Sequence, residues 1–141
     1  MNIPAMPLAR KLQEMGLGNR KTYDLDITQV LKYVPKDLER HFLRGLFDGD
    51  GSICIYKYPY FKKHTYHIGF TGLKNVCDYV QDALGLKTKM QDEGKGFFTV
   101  RSTCRADAVR IGHYLYDDAT IYINRKYHTF QEVYVHAAND D

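Results

Sequence analysis

Apolar and polar residues follow two periods along this chain, and each change of period marks a change of element. From Pro35 onward the apolar positions Leu38, Phe42, Leu43, Leu46 and Phe47 recur at helical spacing. Pro35 suits a first-turn position, and Asp37 and Glu39 complement the positive start of a helix. The period then drops to two. Ile53 and Ile55 alternate with Cys54, Tyr56 and Tyr58. On the return, Tyr66, Ile68 and Phe70 alternate with Thr65, His67, Gly69 and Thr71. This predicts a hairpin with one apolar face, turning near Pro59 to Lys63. Helical spacing resumes over Asn75 to Leu84, with Val76, Tyr79, Val80, Ala83 and Leu84 on the buried side and Gly85 as the stop.

A second hairpin is predicted from Lys87 to Gln91, through a turn at Asp92 to Gly96, and back over Phe97 to Arg101. Phe98 and Val100 face the core, which leaves Thr99 and Arg101 beside Lys87 and Lys89 on the open face. Leu86 fits the core position in either register of the first strand. A helix from about Arg105 to Tyr116, an Asp117-Asp118 break and Ile121-Tyr122-Ile123 lead into a last helix from about Asn124 to His136. Helix, hairpin, helix, hairpin, helix, helix is not a βαβ order. It predicts an α+β domain: a four-stranded antiparallel sheet with helices on one face. Residues 1–27 read as an N-terminal arm ahead of a domain at 28–141. The arm carries a short helix, Pro7 to Met15, closed by Gly16, then basic Arg20 and Lys21, then a short strand near Thr22 to Leu25. It serves either as a packing arm or as a contact for backbone phosphates.

The chemistry concentrates where the first long helix ends, in Asp48-Gly49-Asp50-Gly51. Glycines there permit a sharp stop. Gly45 and Gly49 lie four apart on one stripe, where a second backbone can approach closely. Asp50 falls at a helix C-terminus, where the macrodipole disfavours a carboxylate by a few tenths to about 1 kcal/mol, so it calls for a cationic partner. Leu43-Arg44-Gly45-Leu46-Phe47-Asp48-Gly49-Asp50-Gly51 resembles the LAGLIDADG motif of homing endonucleases, in its dodecapeptide form. Arg44 stands where that motif most often has alanine, and Phe47 where it has isoleucine. The flanks Val34-Pro35-Lys36-Asp37-Leu38 and Ser52-Ile53 fit as well, and the resemblance runs from about residue 30 to about residue 135.

The resemblance implies an αββαββα fold whose sheet curves into a saddle over DNA. It implies that Asp50 binds a divalent metal, magnesium, with the Gly49 carbonyl as an auxiliary ligand, a hard oxygen set that suits this ion. Asp48, in the last helical turn, reads as capping or structural. The family also places a lysine near the start of the final helix region to polarise solvent or stabilise the phosphate. Ile121 to Phe130 resembles that segment, with Lys126 the candidate and Arg125 the runner-up, because a shift of one or two residues stays open. The water-ordering polar residue that some members place at the end of the second strand has no match here; Thr71 and Gly72 occupy the area.

The implied activity is site-specific double-strand cleavage of DNA by a homodimer on a long, near-palindromic site, in the service of intron or intein mobility. The helices would pair through Phe42, Gly45, Leu46 and Gly49. The alternative on the same scaffold is an intron RNA-splicing maturase or a DNA-binding regulator without catalysis. A further alternative is one half of a two-motif enzyme. The intact Asp50 favours the nuclease, since a regulator does not need it.

Composition sharpens this only locally. The 141-residue chain carries a net charge of +3, too little for a global argument about nucleic acid. Distribution decides instead: Ser52 to Thr71 holds Lys57, Lys62, Lys63, His64 and His67 with no acidic residue. Tyr56, His67 and Arg101 are candidates for base contacts, and Tyr58, Lys62, Lys63, Lys87, Lys89, Thr99 and Arg125 complete the expected DNA surface. Twelve tyrosines and no tryptophan suit amphipathic contacts. Cys54, Cys77 and Cys104 are odd in number and lack metal-ligand spacing, which reads as reduced thiols. No apolar run is long enough to span a bilayer and no organic cofactor motif is present, so a cytoplasmic protein, or one in the compartment of its target DNA, is expected.

Overall fold

The computed structural model describes residues 5–17 and 21–140; the arm holds α1 (Ala5–Glu14) and α2 (Lys21–Asp24), and α3 (Ile27–Leu31) begins at its end and packs Ile27 and Val30 into the core. A 3-10 turn at Lys36–Leu38 leads into α4 (Glu39–Asp50), and β1 (Gly51–Tyr56) and β2 (Thr65–Leu73) follow. Then come α5 (Lys74–Leu84), β3 (Gln91–Gly94), β4 (Phe97–Ser102), α6 (Arg105–Tyr116) and α7 (Asn124–Asn139). The four strands make one antiparallel sheet in the order β1-β2-β4-β3, the α+β architecture read from the periodicity.

Register assigns the faces. Ile53 pairs with Ile68, Ile55 with Tyr66, and Phe70 with Val100, so these side chains share the face covered by helices. Ile68, Phe70 and Val100 are buried there with Leu43 and Phe47 of α4, Val76, Val80 and Leu84 of α5, Ile111 and Leu115 of α6 and Phe130 of α7. The opposite face carries the partners Cys54 and His67, Tyr56 and Thr65, Gly69 and Arg101, and Thr71 and Thr99.

Three expectations change. The strand near Thr22 to Leu25 is helical in its first part: α2 covers Lys21–Asp24, and the Asp26 carboxylate accepts from the Thr28 N–H at 2.9 Å and starts α3. That local capping bond outweighs a four-residue alternation. Arg20 lies outside the described residues. The strand at Lys87 to Gln91 begins only at Gln91 and runs on to Gly94, with the chain reversing at Lys95-Gly96. Gly94, Lys95 and Gly96 all take positive φ, which tightens the turn and draws the ladder later. Lys87 and Lys89 therefore precede the sheet; Thr88 donates to the Arg101 carbonyl, and the Lys87 charge faces Asp107 at the start of α6. Finally, α4 does not stop at a left-handed glycine. It continues through Asp50, and Gly51 is extended at φ −76°.

Candidate active site and nucleic-acid interface

The end of α4 is fixed by sterics and by charge. A Cβ on Gly51 would sit 2.5 Å from the Phe47 ring and 2.6 Å from the Phe47 carbonyl oxygen. The glycine is needed for that close passage, not for its dihedral freedom. The Gly51 N–H donates to the Phe47 carbonyl and closes the helix. Lys126, near the start of α7, then reaches beneath this end: its Nζ donates to the Phe47 carbonyl at 2.6 Å and the Asp48 carbonyl at 2.8 Å. The ammonium also lies 5.5 Å from the Phe47 ring centroid. Only 3% of Lys126 is exposed. Burial lowers its pKa below the ordinary lysine value, while Asp48 and Asp50 act in the opposite direction. Its hydrogen bonds go to the carbonyls of the helix end, and Asp50 acts on it only through its charge.

Asp48 and Asp50 differ sharply. The Asp48 carboxylate accepts from the Tyr116 hydroxyl and, at 3.0 Å, from the Ile123 N–H, so it fastens α4 to α6 and to the segment entering α7. Burial first, and then the bond to Asp48, push the Tyr116 hydroxyl's pKa upward. These bonds match the structural reading of Asp48. Arg44, also on this side, is buried and donates to the Ile121 and Leu115 carbonyls at 2.9 Å each, with Nη2 2.7 Å from His41 Nδ1. Asp50 is exposed and makes no hydrogen bond or ion pair among the described residues. It lines a hollow of about 440 Å³ together with Leu46, Thr71, Gly72 and Phe97. Thr71, in the area where the water-ordering residue had no obvious match, lines the same hollow as Asp50.

The outer stripe of α4 is open. Gly45 and Gly49 are exposed, and a Cβ on either would find no atom within 4 Å. Phe42 and Leu46 flank them half-buried. Among the described residues no three His, Cys, Asp or Glu side chains gather as a metal nest. One chain therefore offers a cation the Asp50 carboxylate and the neighbouring Gly49 carbonyl, chemically suited to a hard divalent ion but incomplete alone.

The strand register gathers most of the expected DNA surface. Tyr56, His67, Thr99 and Arg101 share the face away from the helices. Tyr56 and His67 meet edge-on at 5.4 Å, and Thr99 and Thr71 join through their hydroxyls at 2.7 Å. Gly69 lies between them; its absent side chain leaves room for Arg101 and Ser52. Tyr58, Lys62 and Lys63 are exposed in the turn beyond the strands, and Arg125 is exposed at the start of α7. Lys87 and Lys89 are exposed and precede the strand, and Lys87 acts on Asp107 of α6. The periodicity does not reveal two further contributors to the open face, Ser52 and Gln91, the latter placed there by its pairing with Thr99. Nor does it reveal the burial of Lys126 or Arg44, since charged residues on helices ordinarily face water.

Comparison with solved structures places this arrangement. The archaeal intron-encoded homing endonuclease I-Vdi141I, solved in complex with DNA, superposes with a TM-score of 0.58 at 19% identity, over 74% of this chain and 72% of its own. The I-LtrWI LAGLIDADG homing endonuclease, bound to target DNA, gives 0.58 at 12% identity, over 73% of this chain and 38% of its own. The LAGLIDADG meganuclease I-AabMI, bound to uncleaved DNA, gives 0.54 at 16% identity, over 68% of this chain and 35% of its own. The fold is the LAGLIDADG homing-endonuclease fold. At these identities the likeness speaks for the fold alone, and the chain spans little more than a third of the two longer relatives. No protein-family profile and no curated protein matches the sequence. Among the described residues no helix is long and apolar enough to cross a membrane.

Proposed function

We propose that this chain is a site-specific double-strand DNA endonuclease that acts as a homodimer and hydrolyses phosphodiester bonds with a divalent cation, magnesium first. The observation that carries the reading is the Asp50 carboxylate. It is exposed, unpaired among the described residues and set at the unfavourable end of a helix dipole. The helix dipole opposes an acid there, whereas a hard cation needs one.

Asp50 and the Gly49 carbonyl would hold the ion, which supplies a polarised phosphoryl oxygen and an activated water when bound. Lys126 keeps the helix end neutralised and lends positive potential to Asp50 from below. Arg125, exposed one residue earlier, is free to meet a phosphate. The open sheet face, with Tyr56, His67, Thr99 and Arg101, would read base edges in the major groove, and Lys62 and Lys63 would hold the backbone. Two strands need two carboxylates. The unfilled space over Gly45 and Gly49 admits a second α4, which brings a second Asp50 to the same place. An isologous dimer of this kind reads one half-site twice, inverted.

The test is to incubate the chain with a randomised DNA library and magnesium and to sequence the ends that form. Discrete, palindrome-related ends are expected from the wild type and none from Asp50→Asn. Metal-dependent cutting by the asparagine variant at the wild-type rate would sink the assignment. A wild type that stays monomeric on its cleaved site would remove the homodimer.

A further inference from the structure

The turn between β1 and β2 has a second chemistry. Tyr60 is 95% exposed and Phe61 64%, beside Tyr58 at 45%. Large rings this bare at a loop tip do nothing for the fold. The backbone that carries them is held. The Phe61 N–H donates to the Tyr58 carbonyl at 3.1 Å, and Lys57 Nζ donates to the Lys62 carbonyl at 2.6 Å, so the turn is closed from within. At its root, Asp140 of the α7 cap accepts from the His64 N–H at 3.1 Å and from the Tyr66 hydroxyl at 2.7 Å. Ring contacts run without a break from His67 through Tyr56 and Tyr58 to Phe61, at centroid separations of 5.4, 6.1 and 6.0 Å. Lys57, Lys62 and Lys63 surround them, and no acid lies between Gly51 and Cys77.

We propose that this tip is a stacking platform for unpaired nucleobases on an anionic strand. Three alternatives fit less well. A paired duplex shows the tip only phosphates and base edges, and phosphate oxygens are repelled by the electron-rich face of a ring. An apolar protein partner would have to strip water from three lysine ammonium groups to reach two rings. A phospholipid surface shares the charge preference but offers no flat aromatic face. An unpaired base offers both what the rings need, a π-face, and what the lysines need, a phosphate on either side; each stacked base is worth roughly 5- to 150-fold in affinity. Such bases come from a free single strand or from a duplex in which one nucleotide is displaced, as at a bulge.

Fluorescence anisotropy of the full chain in EDTA, so that no cleavage intervenes, separates these. The probes are a labelled dT12 strand, a paired duplex, and the same duplex with a single dT bulge. The double variant Tyr60→Ala/Phe61→Ala touches only exposed side chains. It is expected to lose at least fivefold on dT12 and on the bulged duplex while changing by less than twofold on the paired duplex. A loss on the bulge alone would assign the displaced nucleotide as the source, and a loss on dT12 alone the free strand. Lys62→Ala/Lys63→Ala should weaken all three together and flatten the salt dependence by about 0.7 to 0.9 per lost phosphate contact. An equal loss of the aromatic double variant on all three probes would make the tip an ordinary groove contact and overturn the proposal. So would unchanged binding of dT12 and the bulge. So would unchanged binding of dT12 and the bulge together with a loss on phosphatidylserine vesicles, measured by co-sedimentation of the same variant.

Discussion

The two sides of α4 are built to opposite rules. On the inner side, Arg44 and Asp48 carry charge into the protein and find partners for it: two carbonyls and a histidine for the first, a tyrosine hydroxyl and a backbone N–H for the second. On the outer side, Gly45 and Gly49 meet open space and the Asp50 carboxylate makes no hydrogen bond or ion pair among the described residues. On the endonuclease reading, a helix that holds a carboxylate in place is fastened through one face and leaves the other free for a second copy. The separation is testable because Asp48 and Asp50 are the same residue type two positions apart.

The largest effect is expected from Asp50→Asn. Cleavage should fall by at least about 10³-fold, the equivalent of roughly 4 kcal/mol of barrier, with DNA affinity unchanged or improved as repulsion against phosphate is relieved. Thermal melting should not fall. Gly45→Leu comes next. It should keep the monomer folded, since the added side chain enters solvent, but hold two α4 helices apart and abolish cleavage through loss of the dimer on DNA; sedimentation with and without DNA checks this.

Asp48→Asn inverts the pattern. Its carboxylate anchors two donors, so the variant should lose about 1–3 kcal/mol of stability by denaturant titration while the chemical step on pre-bound DNA stays within a few-fold of wild type. Equal stability of the two asparagine variants would erase the distinction between the faces.

The smallest effect concerns a third aspartate, the paired Asp140. The Tyr66 hydrogen bond, then His64, hold its carboxyl well below the usual carboxylate range. A depressed folded-state pKa contributes stability above the unfolded value and loses it as pH falls through the folded one. Asp140→Asn should therefore be less stable than wild type at pH 7, and the gap should narrow below about pH 4, where an unfolded aspartate takes up its proton. A gap constant from pH 7 to pH 3 would contradict that origin.

Much of this was legible in the sequence. Period-two and helical spacing located both hairpins and the helices α4 to α7, because each element buries one face and the burial writes itself into residue order. Asp50, Gly45 and Gly49 stood out because they are wrong for a helix that has only to pack. What stayed hidden depends on partners distant in sequence. That Lys126 caps α4 rests on carbonyls 78 and 79 residues away, and the burial of Arg44 on carbonyls 71 and 77 away. Local patterns carry no record of such pairings. The start of β3 was misplaced for a different reason: successive positive-φ residues moved the turn, and an edge strand exposed along its whole length has no apolar face to fix its register.

Three glycines close the motif segment, and they are held for unlike reasons. Gly51 is barred from change by atoms of its own chain, since any Cβ would collide with Phe47. Gly45 and Gly49 have no such neighbour. On the homodimer reading, only a visiting helix keeps those two positions small. A lineage that abandoned pairing would thus keep the first glycine and let the other two drift, so substitution at Gly45 and Gly49 beside an unchanged Gly51 is a record of lost partnership that genomes can be read for.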